Sequence, residues 1–163
     1  MGARGVDSVA RRGRTMSENP AAGYAGDVSA KAAWDGLEQS PEATLVDVRT
    51  KAEWAYVGTT VLTSLGKSPL LLEWDEFPSG ILVPDFVARL RSELDKRGVP
   101  KDAPLYFICR SGNRSRQAAM LATDAGYSRA FNIEFGFEGR LGPDRHRGTA
   151  GSWKAEGLPW VQS

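Results

Sequence analysis

The sequence predicts an α/β fold, a central and mostly parallel sheet with helices on both faces. Short apolar runs alternate with stretches of helical periodicity from residue 28 onward. The run Ala43–Arg49, "ATLVDVR", is mostly apolar where a strand with one wet face would alternate, so it belongs in the middle of a sheet. A length of 163 residues fits one domain with a core that needs no disulfide or metal.

The elements follow in order. Ser29 is placed to cap a helix reaching about Gln39, with Ala30, Ala33, Trp34 and Leu37 on one face. After the strand at Ala43–Arg49, Thr50 caps a short helix that ends near Gly58. "PLLLEW", Pro69–Trp74, reads as the second strand. Pro84 marks the start of a helix in which Phe86, Val87, Leu90 and Leu94 recur at helical spacing until Gly98. "PLYFI" is the third strand, and a loop then leads into the helix "RSRQAAMLATDAG", closed by Gly126. "AFNIE", Ala130–Glu134, is the fourth strand, and "SWKAEG" forms a last helical turn or two before Leu158-Pro159.

The first 27 residues differ: they are rich in Gly, Ala, Ser and Arg and lack periodicity. They read as a disordered leader, with Met16 as an alternative start and the domain covering residues 28–163. No apolar segment of the secretory kind is present, whereas four arginines against one acid before Met16 leave a transit peptide open. A net charge of +1 makes no case for a nucleic-acid or membrane partner. The apolar runs fall far short of the roughly 20 residues that span a bilayer. One cysteine forms no internal disulfide, which fits a reducing compartment, most simply the cytoplasm.

That cysteine, Cys109, stands in "LYFICRSGNRSRQAAM", at the end of a strand and a few residues before a helix. In open α/β sheets ligands bind at the carboxyl ends of the strands. Arg110, Ser111, Gly112, Asn113, Arg114 and Ser115 are able to curl so that backbone amides and the helix N-terminus converge on the sulfur and favour its thiolate. Arg110 and Arg114 would add forked donors for an anionic substrate. Against this stands the commonest fate of a free cysteine, an inert buried thiol, and for the arginines a solvated surface role. A chance match to Cys-x-x-Gly-x-Arg-Ser in a chain of this length is on the order of one in a thousand, which favours the site.

"YFICRSGNRS" resembles the active loop of rhodanese-like sulfurtransferases. "LVDVRTKAEW" is similar to that family's early Asp-x-Arg motif, and "GSWKAEGLPW" to its closing segment, in family order over roughly residues 29–160. The resemblance implies a single rhodanese domain in which Cys109 carries a sulfane sulfur as a persulfide held by the amides of residues 110–115. It implies a small anionic sulfur donor and an acceptor that is cyanide or a thiol, including a partner protein's cysteine. No cofactor or metal is called for. By position Asp47 lies near the loop, and Arg49 is a structural ion-pair partner with Glu53 as its candidate. Asp47 read from the residues alone could be a simple cap, and both fit structural roles. The usual Gly-His-Ile stretch is replaced by "YVGTTVLTSLG", and the segment from Thr59 to Gly80 is long. The lone His146 is expected at the surface.

Two rivals remain at this point. A related-fold phosphatase or arsenate reductase would use a wider loop, whereas Cys109 and Arg114 have four residues between them, which suits one sulfur atom better than a tetrahedral oxyanion. A non-catalytic regulatory or binding module is the other, although such domains commonly lack the cysteine.

Overall fold

The computed structural model describes residues 16–18, 23–148 and 150–162. Its elements in chain order are β1 (Met16–Glu18), β2 (Gly26–Val28), α1 (Ala30–Gln39), β3 (Thr44–Asp47), α2 (Lys51–Tyr56), β4 (Thr59–Thr60), β5 (Leu70–Leu71), α3 (Phe86–Lys96), β6 (Leu105–Ile108), α4 (Asn113–Asp124), β7 (Ala130–Ile133) and β8 (Trp160–Val161). Six strands form the main sheet in the order β1-β2-β7-β6-β3-β5. Every pairing in it is parallel except β1 with β2.

The expected helices on both faces are present, and β6 shows why. Leu105 and Phe107 point into a core shared with Phe86, Leu90 and Leu94 of α3 and Ala118, Ala119 and Ala122 of α4. Tyr106 and Ile108 point to the opposite core, with Ala30, Ala33 and Leu37 of α1, and with Phe131 and Trp153. The period of two along a strand thus splits one apolar run between two faces. Each fully buried leucine, such as Leu37 or Leu94, contributes about 1.5–3 kcal/mol by leaving water.

Local chemistry sets the element ends. Ser29 Oγ accepts from the Ala32 amide at 3.0 Å to begin α1. At α2, Thr50 and Glu53 form a reciprocal capping box, with the Glu53 amide donating to Thr50 Oγ1 at 3.2 Å and the Thr50 amide donating to Glu53 Oε1 at 3.1 Å.

Four expectations change. The fold reaches N-terminal of residue 28, because Tyr24 is buried and β2 begins at Gly26. The short Gly-Asp-Val strand offers no apolar run to read. Met16–Glu18 pairs with it, while residues 1–15 and 19–22 of the expected leader lie outside the described residues. The strand expected over Pro69–Trp74 is regular only at Leu70–Leu71, although Leu72 and Trp74 continue to donate to the Asp47 and Val48 carbonyls at 2.9 and 3.1 Å. The helix expected from Pro84 begins at Phe86, after Asp85 in a left-handed conformation with φ 60°. Finally, the turn expected at "SWKAEG" is present, Glu156 N–H to the Ser152 carbonyl at 2.9 Å, but the chain then runs into a strand that was not expected, β8, which pairs antiparallel with β4.

Candidate active site

Strand β6 carries the chain from the core to Cys109 at the carboxyl edge of the sheet, between β3 and β7. The turn that follows depends on two glycines. Gly112 has φ 111°, and a Cβ there would collide with the Glu134 carbonyl oxygen. Gly136 has φ 62°, and a Cβ there would collide with the carbonyls of Cys109 and Arg110. The loop after β6 and the loop after β7 are therefore pressed backbone to backbone, tied by Phe137 N–H to the Cys109 carbonyl at 2.8 Å and Glu138 N–H to the Arg110 carbonyl at 3.0 Å.

Cys109 Sγ is almost wholly covered, with the residue 1% exposed. The Gly112 amide donates to it at 3.1 Å, and Ser115 Oγ lies 3.1 Å away. Among the described residues Gly112 supplies the one backbone amide bonded to Sγ, fewer than the converging ring that was expected. The first amides of a helix have no intrahelical partners, and α4 begins beside the sulfur, with Ser115 Oγ of its first turn 3.1 Å from Sγ. Ser115 is fully buried and its hydroxyl donates to Asn132 Oδ1 at 2.6 Å. Asn132, also fully buried, donates from Nδ2 to Asp27 Oδ1 at 3.0 Å, and the Tyr24 hydroxyl donates to the same oxygen at 2.7 Å.

The arginines divide. Arg114 donates to both oxygens of Glu53, at 2.8 and 3.0 Å, and approaches Asp75 at 3.5 Å. Burial alone would pull its guanidinium down, but the bonds and charge of Glu53, helped by the charges of Cys109 and Asp75, outweigh this and hold it above its ordinary value. Its Nη1 and Nη2 are thus bonded to protein carboxylates, partners that the sequence did not indicate. Arg110 is exposed, and its side chain has no ion-pair partner among the described residues. Asn113 is exposed and Ser111 half-buried, and neither side chain bonds to the sulfur.

Asp47 and Arg49 are both fully buried and pair with each other: Arg49 Nη2 to Asp47 Oδ2 is 2.7 Å and Arg49 Nε to Asp47 Oδ1 is 3.0 Å. Glu53, the candidate partner for Arg49, is instead held by Arg114. Arg49 also donates to the Gly58 carbonyl at 2.8 Å and lies over the Phe137 ring, 4.2 Å from its centroid. Since Phe137 is hydrogen-bonded to Cys109, the pair braces the floor beneath the loop. His146 is exposed and lies 3.1 Å from Asp144, as expected of a surface residue.

A cavity of about 550 Å³ opens at the mouth of the loop, between α2, the segment Asp75–Gly80, and the loop bearing Glu138 and Arg147. The long insertion thus supplies one wall, with Phe77 and Pro78 at its rim. Glu53, Asp75, Glu76 and Glu138 line it together with Arg110, Arg114 and Arg147, so the cavity is of mixed charge. Asp75, Glu138, Asn132 and Asp27 were not identifiable from the sequence, because each reaches the site from a separate segment.

The fold is thus an α/β sheet, mostly parallel and flanked by helices, that seats a cysteine between the end of a central strand and the start of a helix. Residues 29–140 match the family model of the rhodanese-like domain, and the chain belongs to that family. It is 38% identical over 128 residues to an uncharacterised protein of Rickettsia rickettsii, covering 78% of this chain and 90% of that one. A sulfurtransferase of Allochromatium vinosum is 27% identical over 125 residues, with 77% and 84% covered. Among solved structures, Rv0390 of M. tuberculosis superimposes with a TM-score of 0.77 at 45% identity, covering 86% of this chain and 99% of that one. The polysulfide-sulfur transferase of Wolinella succinogenes, at 22% identity and TM-score 0.52, shares the fold.

Proposed function

We propose that the protein is a sulfurtransferase that works by double displacement through Cys109, with a thiosulfate-like donor and a cyanide or thiol acceptor. The observation that carries this reading is the seat of the sulfur, bonded to the Gly112 amide at 3.1 Å at the open end of α4. In the first half-reaction Cys109 thiolate attacks the outer sulfur of the donor. A new S–S bond forms, the donor's own S–S bond breaks, and sulfite leaves with the electron pair. The outer sulfur, now an anionic persulfide, is then held by the unpaired amides of the first turn of α4. In the second half-reaction the acceptor takes that sulfur and the electron pair returns to Cys109. Arg110, the uncommitted cation at the mouth, serves donor encounter. A reducing compartment such as the cytoplasm suits this chemistry, as does a protein thiol among the acceptors.

The occupied fork of Arg114 weighs against the phosphatase reading, which requires that arginine for the oxyanion. The test is intact mass spectrometry after reduction. Thiosulfate adds the mass of one sulfur atom, cyanide removes it as thiocyanate, and Cys109→Ser shows neither change, because a hydroxyl at neutral pH is not an anionic nucleophile. Wild-type protein whose mass is unmoved by thiosulfate and by polysulfide would favour the non-catalytic module instead.

A further inference from the structure

We propose that Asp27 is a positioning residue for Cys109, which through Asn132 fixes the direction of the Ser115 hydroxyl so that it accepts from the thiol and must swing before it donates to the thiolate. The inference rests on Cys109 being the working nucleophile, but its test below reads the thiol directly and needs no sulfur transfer.

The direction of each bond follows from donor chemistry. An ionised carboxylate only accepts, so the Asn132 atom 3.0 Å from Asp27 Oδ1 is Nδ2. That choice turns Oδ1 toward Ser115, and an amide oxygen also only accepts. The single Ser115 proton is therefore committed to Asn132, at 2.6 Å. What Ser115 presents to Cys109 Sγ, 3.1 Å away, is a lone pair. A thiol satisfies it by donating S–H. A thiolate does not, and meets the same lone pair unfavourably unless Ser115 rotates its proton from Asn132 to the sulfur. Rotation leaves Asn132 Oδ1 without a donor, in a side chain with no access to water. The Gly112 amide favours the thiolate and the relay opposes it, so loss of the thiol proton is coupled to a swing of the hydroxyl.

The relay ends where water can reach it. Asp27 is half-buried on β2, and Tyr24, whose hydroxyl donates to it at 2.7 Å, is held above its ordinary value by burial first and then by that bond and the Asp27 charge. Other charges face these groups. Arg116 of α4 lies beside Tyr24. At the sulfur, Arg114 of α4 acts through its charge and is paired with Glu53 of α2 and with Asp75, while Arg110 follows Cys109 in the loop. The Asp47–Arg49 pair ends β3, alongside β6.

The experiment is the pH dependence of iodoacetamide alkylation of reduced protein, in wild type, Asp27→Asn, Asn132→Leu, Ser115→Ala and the double variant Asp27→Asn with Ser115→Ala. An asparagine at 27 lets the Asn132 amide turn over and donate to Ser115, which then donates to Cys109. The expected result is a midpoint lower by about one pH unit, a tenfold faster reaction on the acid side. Asn132→Leu removes the acceptor without altering charge and should shift the midpoint the same way. Removing the Asp27 charge also favours a thiolate directly, and the Ser115→Ala background isolates that part. The relay predicts that most of the shift disappears there. An equal shift with and without Ser115, or a folded Asn132→Leu variant with an unmoved midpoint, overturns the proposal. If Asp27→Asn does not fold, Asn132→Leu in the presence and absence of Ser115 decides it alone. Sulfur loading measured on the same samples is a separate readout, so an inert enzyme with a shifted midpoint counts against the sulfurtransferase reading and for the relay.

Discussion

The Arg114–Glu53 pair shows how one side chain serves two elements. Glu53 closes the capping box of α2 through Thr50 and at the same time receives the fork of Arg114 from α4. Burial alone would push its carboxyl up, but the bonds and charge of Arg114, with those from Thr50, outweigh burial and hold it below its ordinary value. A carboxylate whose folded value lies below its unfolded one, near 4.5, stabilises fully above that pH and loses the contribution as the pH falls through the folded value. Glu53→Gln is therefore expected to lower stability at neutral pH by about 1–3 kcal/mol, with the gap to wild type closing below about pH 4. Urea unfolding followed across that range checks it, and a gap that stays constant into acid would show that the lost stability lies in shape and not in charge. The pairing of Asp47 with Arg49 is legible in the sequence itself. Residues two apart at a strand end lie on one side, which already joins the two. Glu53 instead faces Arg114, 61 positions along the chain, where no local pattern reaches.

At the scale of elements, the turn from β6 into α4 was readable because its chemistry is local. A strand end, a cysteine, a glycine three residues on and a serine six residues on become one seat when the backbone curls. The left-handed φ of Gly112 is what the curl requires. Gly112→Ala would place a methyl group against the Glu134 carbonyl in a backbone conformation that alanine resists. Conformational strain of this kind costs on the order of 1–3 kcal/mol, and the loop after β7 must also retreat. The variant is expected to unfold at lower denaturant and to lose persulfide loading more severely than stability, since the donor to Sγ is the amide of this residue. Loading that survives unchanged would show that the amides of α4 hold the sulfur without it. Elements made by distant pairing were less legible. Strand β2 consists of Gly26-Asp27-Val28, and its identity comes from lying beside β7. Likewise β8 exists because β4 lies opposite, and neither has enough apolar residues to announce itself.

For the whole molecule, the decisive fact is that 163 residues hold one cysteine, seated where the sheet, α4 and the loop after β7 meet. Many thiol enzymes clear a sulfur intermediate with a second cysteine, which requires two Cα atoms within about 7 Å so that an internal disulfide forms. No such partner exists in this chain. Under the proposed function, a persulfide on the buried Cys109 would then leave by attack from another molecule. Loaded protein, freed of donor by desalting, should therefore keep the added sulfur for as long as no acceptor is present, and should lose it on addition of glutathione at a rate proportional to the acceptor. A slow loss between protein molecules, one thiolate attacking the persulfide of another, would rise with protein concentration and is separated from internal discharge by dilution. Intact mass followed over time at two protein concentrations, first without and then with glutathione, makes the distinction. Rapid loss without acceptor and independent of concentration would require an internal nucleophile other than a thiol. Glu53, Asp75, Glu76 and Glu138 are the cavity's acids, but a carboxylate is a poor nucleophile toward sulfur, and two of them already hold Arg114. Persistence of the loaded form is thus the outcome expected of a chain with one thiol.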